Sequence, residues 1–87
     1  MGKYLVELYL PSTGSGEFAS TAARARTAAE ELLGRGTRVR YLRSIFVPGD
    51  ELCFLLYEGS SKEAVGEAVH RAAITFDRIV DATDDER

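Results

Sequence analysis

An α+β fold of the ferredoxin-like type is what this sequence predicts: a four-stranded antiparallel sheet with two helices on one face. Three observations carry that expectation. Segments with strand-like and helix-like apolar patterning alternate in the order β-α-β-β-α-β. The turn Pro48-Gly49-Asp50 joins the two middle strand segments into a hairpin. At 87 residues the chain has room for one core only, so residues 1–83 form a single domain and 84–87 a frayed acidic tail.

Residues 3–10, Lys-Tyr-Leu-Val-Glu-Leu-Tyr-Leu, are rich in aromatic and branched side chains and read as a strand. Pro11 and the run Ser12-Thr13-Gly14-Ser15-Gly16 stop it. Over 17–33, Phe18, Ala22, Ala25, Ala29 and Leu32 repeat at helical spacing, with Gly34 and Gly36 as the stop. The stripe is mostly alanine, so this helix should lie close to what it covers. Residues 37–47 and 52–57 are β-branched and aromatic. Ser60-Ser61-Lys62-Glu63 fits a capping box with Ser60 as N-cap, opening a helix over 60–72 on Val65, Ala68, Val69 and Ala72. Ile74 to Thr83 reads as a last short strand.

Composition narrows the function classes. A net charge of −3 argues against a general polyanion binder. One cysteine, Cys53, leaves no disulfide framework, no iron–sulfur cluster and no CxxC pair. No apolar run reaches the ~20 residues of a membrane span, and the N-terminal segment lacks signal-peptide features, so a cytoplasmic location is expected. No P-loop, GxGxxG nucleotide motif, HExxH, EF-hand or catalytic triad signature occurs. The third strand, Glu-Leu-Cys-Phe-Leu-Leu-Tyr-Glu, lacks the basic residue and glycine of an RNA-recognition strand. Phe54 and Tyr57 also fall on opposite faces, so nucleic acid is not an expected partner.

Strict alternation makes both sheet faces largely apolar. On the first strand, Tyr4, Val6, Leu8 and Leu10 oppose Leu5, Glu7 and Tyr9. On the second, Val39, Tyr41, Ile45 and Val47 oppose Leu42 and Phe46. Two helices can cover only one face, which predicts a homodimer with sheets face to face, a dimeric α+β barrel. The alternative is that sheet twist and the tail partly cover the open face. Polar exceptions on the strands, Glu7, Tyr9, Arg43, Ser44 and Tyr57, are candidates for lining a small-molecule pocket between the sheets. Equally, Glu7 and Arg43 read as a charge pair holding the dimer register.

His70 is the one histidine. With Glu67 and Glu63 it forms a stripe opposite the core stripe of the second helix, a spacing that suits a divalent transition metal if water or a second chain completes the shell. The plain alternative is a solvated helix face. Cys53, in the apolar run Leu-Cys-Phe-Leu-Leu-Tyr, reads as a small buried hydrophobe rather than a nucleophile.

The opening Lys3-Tyr4-Leu5-Val6-Glu7, the stretch from Val39 to Pro48, the strand Cys53 to Tyr57 with Glu58, and Phe76-Asp77-Arg78-Ile79-Val80 together resemble one family. It comprises small bacterial ferredoxin-like proteins of unknown function, typified by an actinobacterial nickel-responsive, nickel-binding protein. The chain departs from the family pattern at Ala73, where such proteins carry a glycine at the end of the second helix. The resemblance implies a dimer that binds nickel or a similar divalent ion. Two function classes therefore stand: a homodimeric binding protein with Glu63, Glu67 and His70 as candidate ligands, or a small dimeric α+β-barrel enzyme, oxygenase or isomerase, with a substrate pocket between the sheets.

Overall fold

The computed structural model describes residues 1–11 and 16–85. The elements are β1 (Gly2–Tyr9), α1 (Glu17–Gly34), β2 (Val39–Val47), β3 (Leu52–Gly59), α2 (Lys62–Arg71) and β4 (Arg78–Ala82). The strands form one antiparallel sheet in the order β2-β3-β1-β4, the ferredoxin-like arrangement that the sequence predicts. Both helices lie on one side of it.

The covered side holds the core. Val6 and Leu8 of β1, Cys53, Leu55 and Tyr57 of β3, and Val39 of β2 are closed off beneath Ala25, Ala28, Ala29 and Leu32 of α1 and Ala64, Val65, Ala68 and Val69 of α2. Small residues on the helices let the two layers approach closely. At Gly59 a Cβ would stand only 3.0 Å from a Val65 methyl, so glycine lets α2 cross the end of β3 without displacing Val65. Thr21 and Ala28 join the buried stripe of α1, which is wider than the sequence spacing suggested.

Two boundaries differ from expectation. Ser61, not Ser60, is the N-cap of α2, its Oγ accepting from the Ala64 N–H at 3.1 Å. The Ser60 N–H instead donates to the Arg38 carbonyl at 3.0 Å, so sheet bonding claims Ser60 before the helix can start. β4 begins at Arg78 rather than Ile74. The buried Ile74 side chain plugs the end of α2, and the Asp77 N–H bonds the Glu7 carbonyl on the way into the sheet.

A larger difference lies inside β2. Its register against β3 shifts between Tyr41 and Arg43, leaving Leu42 as the extra residue of a β-bulge. Strict alternation places Val39, Tyr41, Ile45 and Val47 on one face. The bulge separates them: Val39 and Tyr41 pair with Gly59 and Tyr57 on the helix side, while Ile45 and Val47 pair with Phe54 and Leu52 on the open side. Ser44 and Phe46 take the helix-side places instead.

Both helices end in the same hydrogen-bond pattern. After α1, the Gly36 N–H reaches the Leu33 carbonyl and the Thr37 N–H the Leu32 carbonyl. After α2, the Ala73 N–H reaches His70 and the Ile74 N–H reaches Val69. This Schellman closure needs a left-handed residue. Gly36 supplies it with φ +99°, but Ala73 takes it with φ +59° despite its Cβ. Arg24 spans from α1 to the same corner, donating to the Ala72 and Ala73 carbonyls at 3.3 Å each. Ala73→Gly removes the left-handed penalty and returns part of the gain as chain entropy, so it should stabilise the fold by roughly 0.5–1 kcal/mol. Urea unfolding of the two proteins checks the sign; a destabilised glycine variant would show that the alanine is not strained.

Candidate functional site

The face of the sheet without helices is the most distinctive surface. Leu5 of β1, Ile45 and Val47 of β2, Leu52, Phe54 and Leu56 of β3, and Val80 of β4 share it through their cross-strand pairings. Ile45 is 51% exposed, while Leu5, Val47, Leu52, Phe54 and Val80 are half-buried. Long charged side chains stand among them. Glu7 pairs with Arg78, its register neighbour on β4, at 2.9 Å. Asp84 contacts Lys3 at 3.1 Å and Arg43 at 3.9 Å, so the first residues beyond β4 turn back over one end of this face.

The polar pocket candidates fall into two groups. Glu7, Tyr9 and Arg43 lie on the open face. Glu7 bonds Arg78 rather than Arg43, Arg43 meets Asp84, and Tyr9 Oη donates to a Glu51 carboxylate oxygen at 3.0 Å, which raises the Tyr9 phenol pKa. Ser44 and Tyr57 lie on the helix side. Tyr57 follows β-strand parity from Cys53 and Leu55, whereas Ser44 reaches this side because of the bulge at Leu42. A single cleft between two sheets therefore cannot take all five residues.

On the covered side the two hydroxyl residues meet a third. Tyr41 Oη and Ser44 Oγ are hydrogen-bonded, and the Tyr41 ring meets Tyr57 edge-on at 5.8 Å. Tyr57 is fully buried and its hydroxyl has no protein partner among the described residues. Burial, with the neighbouring Tyr41, pushes its pKa well up, so the phenol stays neutral. Arg26 of α1 stands over the outer face of the cluster, its guanidinium carbon 5.0 Å from the Tyr41 ring centre.

Glu63, Glu67 and His70 are exposed on α2, away from its buried stripe of Ala64, Val65, Ala68 and Val69. Among the described residues no group of three or more His, Cys, Asp and Glu side chains converges as a metal ion requires. The three residues of one chain do not by themselves fit a complete divalent-metal shell. Cys53 faces the core beneath the helices and is fully buried.

Two sets of arginines frame clefts. Between the helices, a cleft of about 320 Å³ is bounded by Arg24, Thr27, Glu31 and Arg71. Both of its arginines are engaged, Arg24 with backbone carbonyls and Arg71 with Glu31 at 2.9 Å. Between α1 and the outer edge of β2, a second cleft of about 260 Å³ is lined by Arg26, Glu30, Leu33, Arg40 and Tyr41. Alternation separates Arg40 from Arg43, but the bulge returns both to the open side of the sheet. The alternating Arg38-x-Arg40 is legible in the sequence, whereas its approach to Arg26 is set by how α1 lies on the sheet.

The Streptomyces coelicolor A3(2) protein SCO4226 has the same fold. Its crystal structure matches 97% of this chain and 99% of its own with a TM-score of 0.74, at 20% sequence identity. That likeness shows the ferredoxin-like fold and nothing finer. No family model matches the chain, and no curated protein does.

Burial pushes the Cys53 thiol pKa up to about 11. In the unfolded chain a thiol titrates near ~8.5. Below that value both states keep the proton. Between it and about 11 only the unfolded chain releases it, so this thiol makes stability fall as the pH rises. Tyr57 acts in the same direction above about pH 10. Native Cys53 should resist a thiol reagent at pH 7.5 and react fully in urea, and the urea midpoint should drop between pH 8 and pH 10.5. Rapid native labelling, or a midpoint unchanged with pH, would contradict the buried thiol.

Proposed function

We propose that this chain is a small homodimeric binding protein whose helix-free sheet face pairs with a second copy. The single observation behind the reading is the apolar band on that face, from Val47 and Ile45 through Leu52 and Phe54 to Leu5 and Val80, with Leu56 already buried beneath its neighbours. A continuous apolar patch of several hundred Å² on a soluble domain marks a contact surface. Stacking two such faces across a two-fold axis buries it without altering either monomer. The ion pairs Glu7–Arg78 and Lys3–Asp84–Arg43 lie on the same face, where they can set register and form a polar rim.

What such a dimer binds follows from the sequence resemblance and from one spacing. Nickel or a similar divalent ion is the ligand the resemblance suggests. Glu67 and His70, three residues apart on exposed helix surface, are the residues we assign to it, with Glu63 one turn earlier. Because one chain does not supply a full shell, water or a neighbouring copy has to complete it.

Light scattering during gel filtration decides the assembly. The wild type should run at twice the 9.5 kDa chain mass and Ile45→Glu at the chain mass. Ile45 is already half exposed, so a charge there spares the monomer fold. A monomeric wild type at micromolar concentration would overturn the dimer. Calorimetric titration of nickel into untagged protein decides the ligand. Heat that His70→Ala abolishes supports these residues, while no heat at tens of micromolar removes the metal reading and leaves the dimer standing.

A further inference from the structure

The edge of the sheet at β2 leaves backbone groups without a strand partner. β2 is an outer strand, so one side of its backbone faces no other strand. The Ser60 N–H donates to the Arg38 carbonyl, so Arg38 and Arg40 hold the ladder positions that bond inward to β3. The intervening Val39 and Tyr41 then direct their backbone groups outward. The Val39 N–H is taken by the Thr37 carbonyl, but among the described residues the Tyr41 N–H has no acceptor on that side.

A groove runs along this edge. The cleft of about 260 Å³ under Arg26, Leu33 and Tyr41 abuts a second of about 290 Å³ lined by Met1, Leu33, Gly36, Arg38 and Arg40. The two share Leu33 and Arg40. Apolar surface comes from Leu33, which is 42% exposed, while Ala29 and Val39 form the buried floor of the cleft. Arg26, Arg38 and Arg40 supply three positive charges against the one carboxylate of Glu30, and among the described residues none of the three arginines has an acidic partner within ion-pair distance. Local charge here is opposite to the net charge of −3.

We propose that an acidic peptide in extended conformation adds as a further strand along residues 38–41 of β2. Its backbone meets the Val39 carbonyl and the N–H and carbonyl of Tyr41. Its acidic side chains, at alternate positions, face Arg38 and Arg40, which are two residues apart and so share one side of the strand. The intervening side chains are apolar and turn under α1, toward Ala29, Leu33 and Val39, with Arg26 above. The bulge at Leu42 ends the register and limits the site to a short segment. On the inner side Arg40 is the register partner of Glu58, but the two side chains form no ion pair, so the Arg40 guanidinium is available to the outer strand. This is strand addition, with main-chain bonds giving affinity and alternate side chains giving selectivity. The site uses the outer edge of the sheet, and its acid–arginine contacts lie at the β2 margin of the open face, beside the pairing proposed for that face.

Fluorescence anisotropy tests it with a fluorescein-labelled Glu-Val-Glu-Val-Glu peptide against the full chain at low salt. Saturable binding is expected, with the matching Lys-Val peptide silent. Arg38→Glu/Arg40→Glu should weaken binding by about tenfold or more. A Glu-Val peptide N-methylated at alternate amides should also fail, and the Tyr41 amide should gain protection from hydrogen exchange when the unmodified peptide binds. Equal binding of the N-methylated peptide, or full displacement by millimolar inorganic phosphate, would overturn strand addition, because the groove would then read charge alone. Protection of the Tyr41 amide that rises with protein concentration and no peptide would overturn it too, since a second copy would own that edge.

Discussion

Two helices on one side of a four-stranded sheet can shield that side and no more. Most of what this molecule is follows from that geometric limit. The covered side is built for close approach: alanines on α1 and α2 meet Val6, Leu8, Cys53, Leu55 and Tyr57, and Gly59 admits Val65. The other side keeps its apolar band and carries charges around and among it. A sheet of this size, apolar on both faces, has surface left to cover after the chain has folded.

Polar groups are arranged around that limit. Two open-face carboxylates are matched to cations, Glu7 to Arg78 and Asp84 to Lys3 and Arg43. On the covered side the hydroxyls of Tyr41 and Ser44 bond to each other, while that of the buried Tyr57 lacks a protein partner. Leaving a buried hydroxyl unpaired costs on the order of 1–3 kcal/mol. The fold therefore carries two local costs of similar size, one at Tyr57 and one at the left-handed Ala73.

Much of the architecture was legible because local patterning and tertiary packing agree. The strand at residues 3–10, the hairpin around Pro48-Gly49-Asp50 and the alanine-rich helix all appear near their expected bounds. The candidate site was less legible. Tyr57 could be assigned to the covered side by parity with Leu55, but Ser44 could not, because no turn residue announces the bulge at Leu42. The Arg43–Asp84 contact joins opposite edges of the sheet and leaves no trace in sequence spacing. The Glu63, Glu67 and His70 stripe was visible from helical periodicity alone, and the structure keeps it on exposed surface.

Sequence alone determined the order of elements, the apolar character of both strand faces and the burial of Cys53, since each depends on the nature of near neighbours along the chain. Tertiary structure decided which residues share a face beyond the bulge, which acid meets which base, and how α1 sets Arg26 beside the free edge of β2. Those depend on strand register and on the seating of one layer upon another. A shift of a single residue there reverses every side chain that follows, with no change in composition or periodicity to reveal it.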